Sequence, residues 1–148
     1  MLYKENKLTT TKHPPGLTTL FLTEMWERMS YYGMRGILVL FMTASIVDGG
    51  FNFDNGKASA IYGIYAASVY LLALPGGWIG DNILGQQKSI LFGGIIIMFG
   101  HFSLAITNIN FFYLGLILVV LGTGLLKPNI SATVGELYKQ NNNLKEAG

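Results

Sequence analysis

The sequence has no cysteine, and only 12% of its 148 residues are charged. The first absence excludes a disulfide framework, a thiolate metal site and a cysteine nucleophile. The second argues against a soluble domain, in which about 25% of residues are charged. Histidine is nearly missing too. His13 lies in the polar N-terminal segment and His101 stands alone in an apolar run, so neither has a partner at metal- or haem-ligand spacing. A satisfied structural role is expected for each, with no metal and no cofactor. There is no G-x-x-x-x-G-K-[ST] loop for phosphate, because Gly93-Gly94 lies inside an apolar stretch. No serine–histidine–aspartate set sits at plausible depth, and no enzymatic activity is expected. A net charge of +2 without a basic cluster argues against nucleic acid as a partner.

What is present is apolar: 51% of residues are hydrophobic and 19 are glycine. About 20 apolar residues cross a bilayer core, and the pattern predicts four spanning helices at about 17–46, 58–80, 89–107 and 111–138. The breaks are Pro14-Pro15-Gly16, the turn-rich 47–56, the polar 81–88 and Thr107-Asn-Ile-Asn110. The expected class is an all-α membrane protein in a lipid bilayer. Residues 1–16 and 139–148 read as cytoplasmic segments, the second cut short. No small-residue cleavage site follows the polar N-terminus, so the first span itself is expected to direct insertion. With that end inside, Lys4, Lys7, Lys12, Lys88, Lys139 and Lys145 are internal and only Lys57 external, which places both ends on the cytoplasmic side. Gly93 and Gly100, and likewise Gly115 and Gly122, repeat at seven-residue spacing and predict close helix packing.

The first span is unusual in carrying Glu24, Glu27, Arg28 and Arg35. Facing lipid, four such charges would cost on the order of 10 kcal/mol. Positions 24, 27, 28, 31 and 35 share one helical face, which must therefore look onto other helices or a watery cavity. Such a stripe is by default a place where charged solutes bind or move. Glu24 and Glu27 can take up protons beside the fixed cation of Arg28, and a solute that recruits the cation alters whether a carboxylate keeps its proton. A purely structural ion-pair cluster is the alternative. Lys127, followed by Pro128, needs a partner in the membrane, and the first-helix carboxylates are the expected one. Proline there removes a helical hydrogen bond and should kink the helix. Snorkelling to the cytoplasmic face is less fitting, because Lys127 lies about 18 Å of helix from Lys139.

Glu24-Met-Trp-Glu-Arg28, with Tyr31-Tyr-Gly-Met-Arg35, resembles the ExxER and YYGMR stretch of the proton-coupled oligopeptide transporters, in the major facilitator superfamily. Gly76–Lys88 looks like that superfamily's cytoplasmic loop between helices two and three, and Gly122–Ser131 like the fourth-helix lysine–proline motif. The resemblance implies the opening four helices of a six-helix amino-terminal half, with the remainder of the transporter as a missing partner. It implies proton-driven import of di- and tripeptides across the cytoplasmic membrane, with protons as the coupling ion. Glu24, Glu27, Arg28 and Lys127 would couple protons. Arg28, Tyr31, Tyr32, Arg35, Tyr70 and Lys127 would line the substrate cavity, Arg28 and Lys127 receiving the peptide carboxylate. Arg35 could instead snorkel or pair with an acid on a later helix. Asp81 and Lys88 would form a gating contact, against the alternative of a solvated turn. Two other readings stay open: a same-family transporter of another anionic solute such as nitrate or an amino-acid conjugate, and a small membrane-anchor subunit.

Overall fold

The computed structural model describes residues 16–146, and every regular element among them is helical. Four helices follow in order: α1 Leu17–Thr43, α2 Asn55–Ile79, α3 Gln86–Leu104 and α4 Ile109–Glu146. Three stretches, Asn55–Leu84, Gln86–Leu104 and Ile109–Lys139, are long and apolar enough to cross a membrane. The 27 residues of α1 reach about 40 Å, enough for a crossing, but its charges keep it out of that apolar class. Large apolar side chains such as Trp26, Leu40 and Leu74 are exposed on the four-helix unit, the arrangement of a surface meant for lipid or for further helices. The expected cytoplasmic segment 1–16, and His13 within it, lie almost wholly outside the described residues.

The helix limits differ from the hydropathy reading, each for a local reason. Ala44 turns to an extended conformation while its N–H still bonds Leu40 O, so α1 stops at Thr43 and not at Ile46. Asp54 caps α2, its side chain accepting from the Lys57 N–H at 3.0 Å, and the helix begins at Asn55, ahead of Ala58. Asn108 accepts from the Asn110 N–H at 2.9 Å and starts α4 at Ile109. No glycine or proline interrupts residues 136–146, and α4 runs on to Glu146 instead of ending near Tyr138. The connection expected at 81–88 is mostly helical: α2 passes into a π-helical turn, Gly80–Leu84, and breaks only at Gly85. Gly85 has φ 80° and ψ 150°, a conformation essentially reserved for glycine.

The core joins Tyr31, Leu38 and Met42 of α1 with Tyr65 and Val69 of α2 and Phe112, Leu116 and Val119 of α4. Helix α3 buries only small residues, Ser89, Gly93, Gly100 and Ser103. It lies antiparallel to α4 with the glycines face to face. A Cβ on Gly93 would stand 2.8 Å from Gly122 O, and one on Gly115 2.9 Å from Gly100 O. The seven-residue repeat thus works as helix packing.

Helices α2 and α4 meet at their prolines. Pro75 and Pro128 both lie inside helices and lack the N–H of a regular turn. Beside them, the buried Asn129 donates through Nδ2 to Leu125 O at 2.6 Å and to Gly76 O at 3.1 Å. One side-chain amide therefore bonds both helices at the level where each ladder is interrupted, and α4 continues as a single element through Lys127-Pro128.

Candidate functional site

The charged stripe of α1 splits three ways. Glu27, Tyr31, Leu38 and Met42 form the buried face of the helix, following its period toward the other helices. Glu24 and Arg28, one turn apart, form an ion pair at the edge. Arg28 Nη2 and Nε both donate to Glu24 Oε1, at 2.6 and 3.1 Å, and the Arg28 side chain is 55% exposed. Exposed i,i+4 pairs contribute little to stability, so holding the helix is a small part of what this pair can do. Arg28 Nη1 is left without a hydrogen bond to the described residues.

Glu27 is different. It is 7% exposed and its Oε1 has no hydrogen-bond partner. A buried, unpaired ionised carboxylate is costly, and one proton changes the charge of the whole site.

Lys127 does not close an ion pair with either glutamate: among the described residues, Arg28–Glu24 is the one ion pair. Its ammonium instead lies 5.7 Å from the ring centres of both Tyr31 and Tyr70. Cation–π contacts of this kind favour a desolvated ammonium by about 0.5–2 kcal/mol. The lysine, Tyr31 and Tyr70 bring α4, α1 and α2 to one point. Tyr31 also stacks on Tyr65 at 6.1 Å and meets Tyr32 edge-on at 5.4 Å. Tyr32 and Tyr70 are exposed on the four-helix unit.

Among the described residues Arg35 pairs with no acid; its partner is Tyr62. Its Nε donates to the Tyr62 hydroxyl, and its guanidinium carbon lies 5.2 Å from the Tyr62 ring centre. Tyr62 and Tyr65 escaped the sequence reading. The available signal was three tyrosines, at 62, 65 and 70, in a stretch without charge, spaced to fall on one half of a helix.

At the turn between α2 and α3, Asp81 and Lys88 are both exposed and form no ion pair among the described residues. The link from this turn to α4 runs through Gln86. Its Nε2 donates to Glu136 Oε1 at 3.2 Å, and its Oε1 accepts from Thr133 Oγ1 at 3.1 Å. Asp81, Lys88, Gln86, Thr133 and Glu136 line one cleft of about 520 Å³. The two expected gating residues thus border the contact without making it.

Lys127, Tyr31 and Tyr70 thus meet where α1, α2 and α4 converge, and the Glu24–Arg28 pair, the buried Glu27 and the Arg35–Tyr62 contact lie along the same first helix. The site can attract an anion, hold it with planar and point-charge donors, and change its own charge by taking one proton.

Comparison with known proteins places the chain among transporters of one family. Residues 87–147 match the profile of PTR2, described as the POT family. The peptide transporter YePEPT of Yersinia enterocolitica is 50% identical over 139 residues, covering 92% of this chain and 27% of that protein. A di-/tripeptide transporter of Lactococcus lactis is 46% identical over 138 residues, covering 91% of this chain and 28% of its own length. The crystal structure of a peptide transporter POT in complex with sulfate superposes with a TM-score of 0.85 at 46% identity, over 93% of this chain and 28% of that one. The chain thus spans little more than a quarter of the length of these relatives. By sequence and fold, the chain belongs to the POT family.

Proposed function

We propose that this chain supplies the first four helices of a transporter that imports di- and tripeptides with protons across the cell membrane, its N-terminus cytoplasmic. The observation that carries the reading is Lys127 of α4 lying against Tyr31 of α1 and Tyr70 of α2, beside a first helix that carries the Glu24–Arg28 pair, the buried Glu27 and the Tyr62-bound Arg35. The relatives' names as peptide and di-/tripeptide transporters support the substrate class. Arg28 and Lys127 receive the peptide's carboxylate, while Arg35, Tyr31, Tyr32 and Tyr70 line its path. Glu24 and Glu27, with Arg28 and Lys127 beside them, hold the coupling proton, and Asp81 and Lys88 border the inner gate. The coupling ion is the proton, no bound cofactor takes part, and the remaining helices complete the cavity. Substrate binding near the midplane between two halves is the general plan of such folds.

The test is uptake of a labelled dipeptide by the complete protein in proteoliposomes under an imposed proton gradient. Uptake should rise with an acidic exterior and be competed by unlabelled di- and tripeptides. Uptake indifferent to the gradient contradicts the proton coupling. Gradient-driven uptake of nitrate or an amino-acid conjugate that peptides do not compete would assign another anionic solute.

A further inference from the structure

A second polar contact crosses from α1 to another helix, away from the cation-rich convergence. Ser30 Oγ lies 2.5 Å from Nε2 of His101 on α3. Both line a groove of about 810 Å³ between α1 and α3, walled by Trp26, Met98, Phe102 and Leu126. Glu27 borders the same groove, one turn before Ser30 on α1. Its Oε1 is the carboxylate oxygen without a partner. The groove is large enough for several waters, each of which occupies about 30 Å³.

We propose that His101 is a second proton-holding residue, which receives a proton through this groove and passes it to Glu27, with Ser30 as the intervening hydrogen-bond switch. The inference rests on the proton-coupled reading above. In neutral imidazole with its proton on Nδ1, Ser30 Oγ donates to Nε2. A proton arriving at Nε2 reverses that bond: Nε2–H now donates to Ser30 Oγ, and the serine hydroxyl is freed to turn into the groove. The imidazolium then loses its proton to the Glu27 carboxylate by way of the hydroxyl or a groove water. Imidazolium and carboxylate become neutral imidazole and carboxylic acid, and nothing but the proton moves.

The surroundings favour a proton over any other cargo. Among the groove's lining residues, Glu27 and His101 are the two titratable groups. The facing groups from α1 are Glu27, Ser30, Thr23 and Thr19, and from α4 the apolar Leu126. Outside the groove's lining, Arg28 pairs with Glu24 and the Lys127 ammonium lies against the faces of Tyr31 and Tyr70. No fixed cation lines the groove to oppose a charged imidazole.

The test compares the complete protein with His101→Gln, His101→Asn and Ser30→Ala in proteoliposomes. Glutamine and asparagine can keep a hydrogen bond to Ser30 but cannot carry a proton. For protein present at wild-type amounts, the pH midpoint of gradient-driven uptake should move by about one unit in the His101 variants, less in Ser30→Ala, while gradient-free exchange falls less than driven uptake. Superimposable pH profiles, or parallel loss of both transport modes, would make the pair a structural hydrogen bond and overturn the proposal. Should His101→Gln not accumulate, the profile of His101→Asn decides by the same criterion. A wild-type protein without gradient-driven uptake overturns the coupled reading, and this proposal with it; driven wild-type uptake with unshifted variants overturns this proposal alone.

Discussion

Glu27→Gln should reduce proton-gradient-driven peptide uptake by roughly a hundredfold, the size typical for loss of a proton-transferring group, while leaving most gradient-free peptide exchange. The substitution keeps the shape and polarity of the side chain and removes only its ability to ionise. Glu27 is the carboxylate to choose because it is 7% exposed and one of its oxygens has no partner. Glutamine there is the uncharged counterpart of the protonated acid, so the site stays in one charge state throughout the cycle. Exchange of peptide for peptide needs no change in that state and should survive. Glu24 makes a contrasting case. It is the counter-charge of Arg28, so Glu24→Gln frees a guanidinium in the site and should disturb peptide binding along with coupling. Measuring both modes side by side separates the two roles, and equal loss in both for Glu27→Gln would make that residue structural.

The second large effect concerns the bundle itself. Gly93→Ala should destabilise the protein by about 1–3 kcal/mol, as overpacking does, whereas Gly94→Ala, one residue away, should be neutral or slightly stabilising. A methyl on Gly93 would stand 2.8 Å from Gly122 O and 2.9 Å from Leu126 N. Backbone atoms cannot rotate aside, so the two helices must separate. A methyl on Gly94 would meet only Leu126 Cδ1, at 3.9 Å, and alanine suits a helix better than glycine by about 1 kcal/mol. Thermal unfolding of the purified proteins in detergent gives the comparison. Gly122→Leu, on the opposing helix, should prevent accumulation in the membrane. Equal melting temperatures for the Gly93 and Gly94 variants would contradict the packing described for α3 and α4.

These two effects sit at opposite ends of what could be read before the fold was known. The glycine repeat was legible because close approach leaves a compositional trace: two helices without side chains at matching intervals can do little else. The stripe on α1 was legible because lipid makes every charge expensive, so 24, 27, 28 and 35 had to share a side. The division of that stripe was not. Nothing in the order of residues distinguishes Glu24, which holds Arg28, from Glu27, which turns to the α1–α3 groove. Attraction of unlike charges points Lys127 to a carboxylate, whereas the ammonium lies against two tyrosine faces that residue order alone does not bring to that depth. Asn129 passed unnoticed for a related reason. Its value lies in bonding Gly76 O across to α2, a relation between residues far apart in the chain. Helix ends were misplaced where a cap outside the apolar run decided them, as at Asp54 and Asn108.

The measurement that bears most directly on the whole reading is the movement of protons with peptide. Proteoliposomes containing the complete protein and a pH-sensitive dye in the lumen are given an unlabelled dipeptide on the outside, with no gradient imposed. The arrangement of Glu27, Arg28 and Lys127 predicts acidification of the lumen that starts with peptide addition and disappears in Glu27→Gln. Peptide entering those vesicles while lumenal pH stays constant would contradict it.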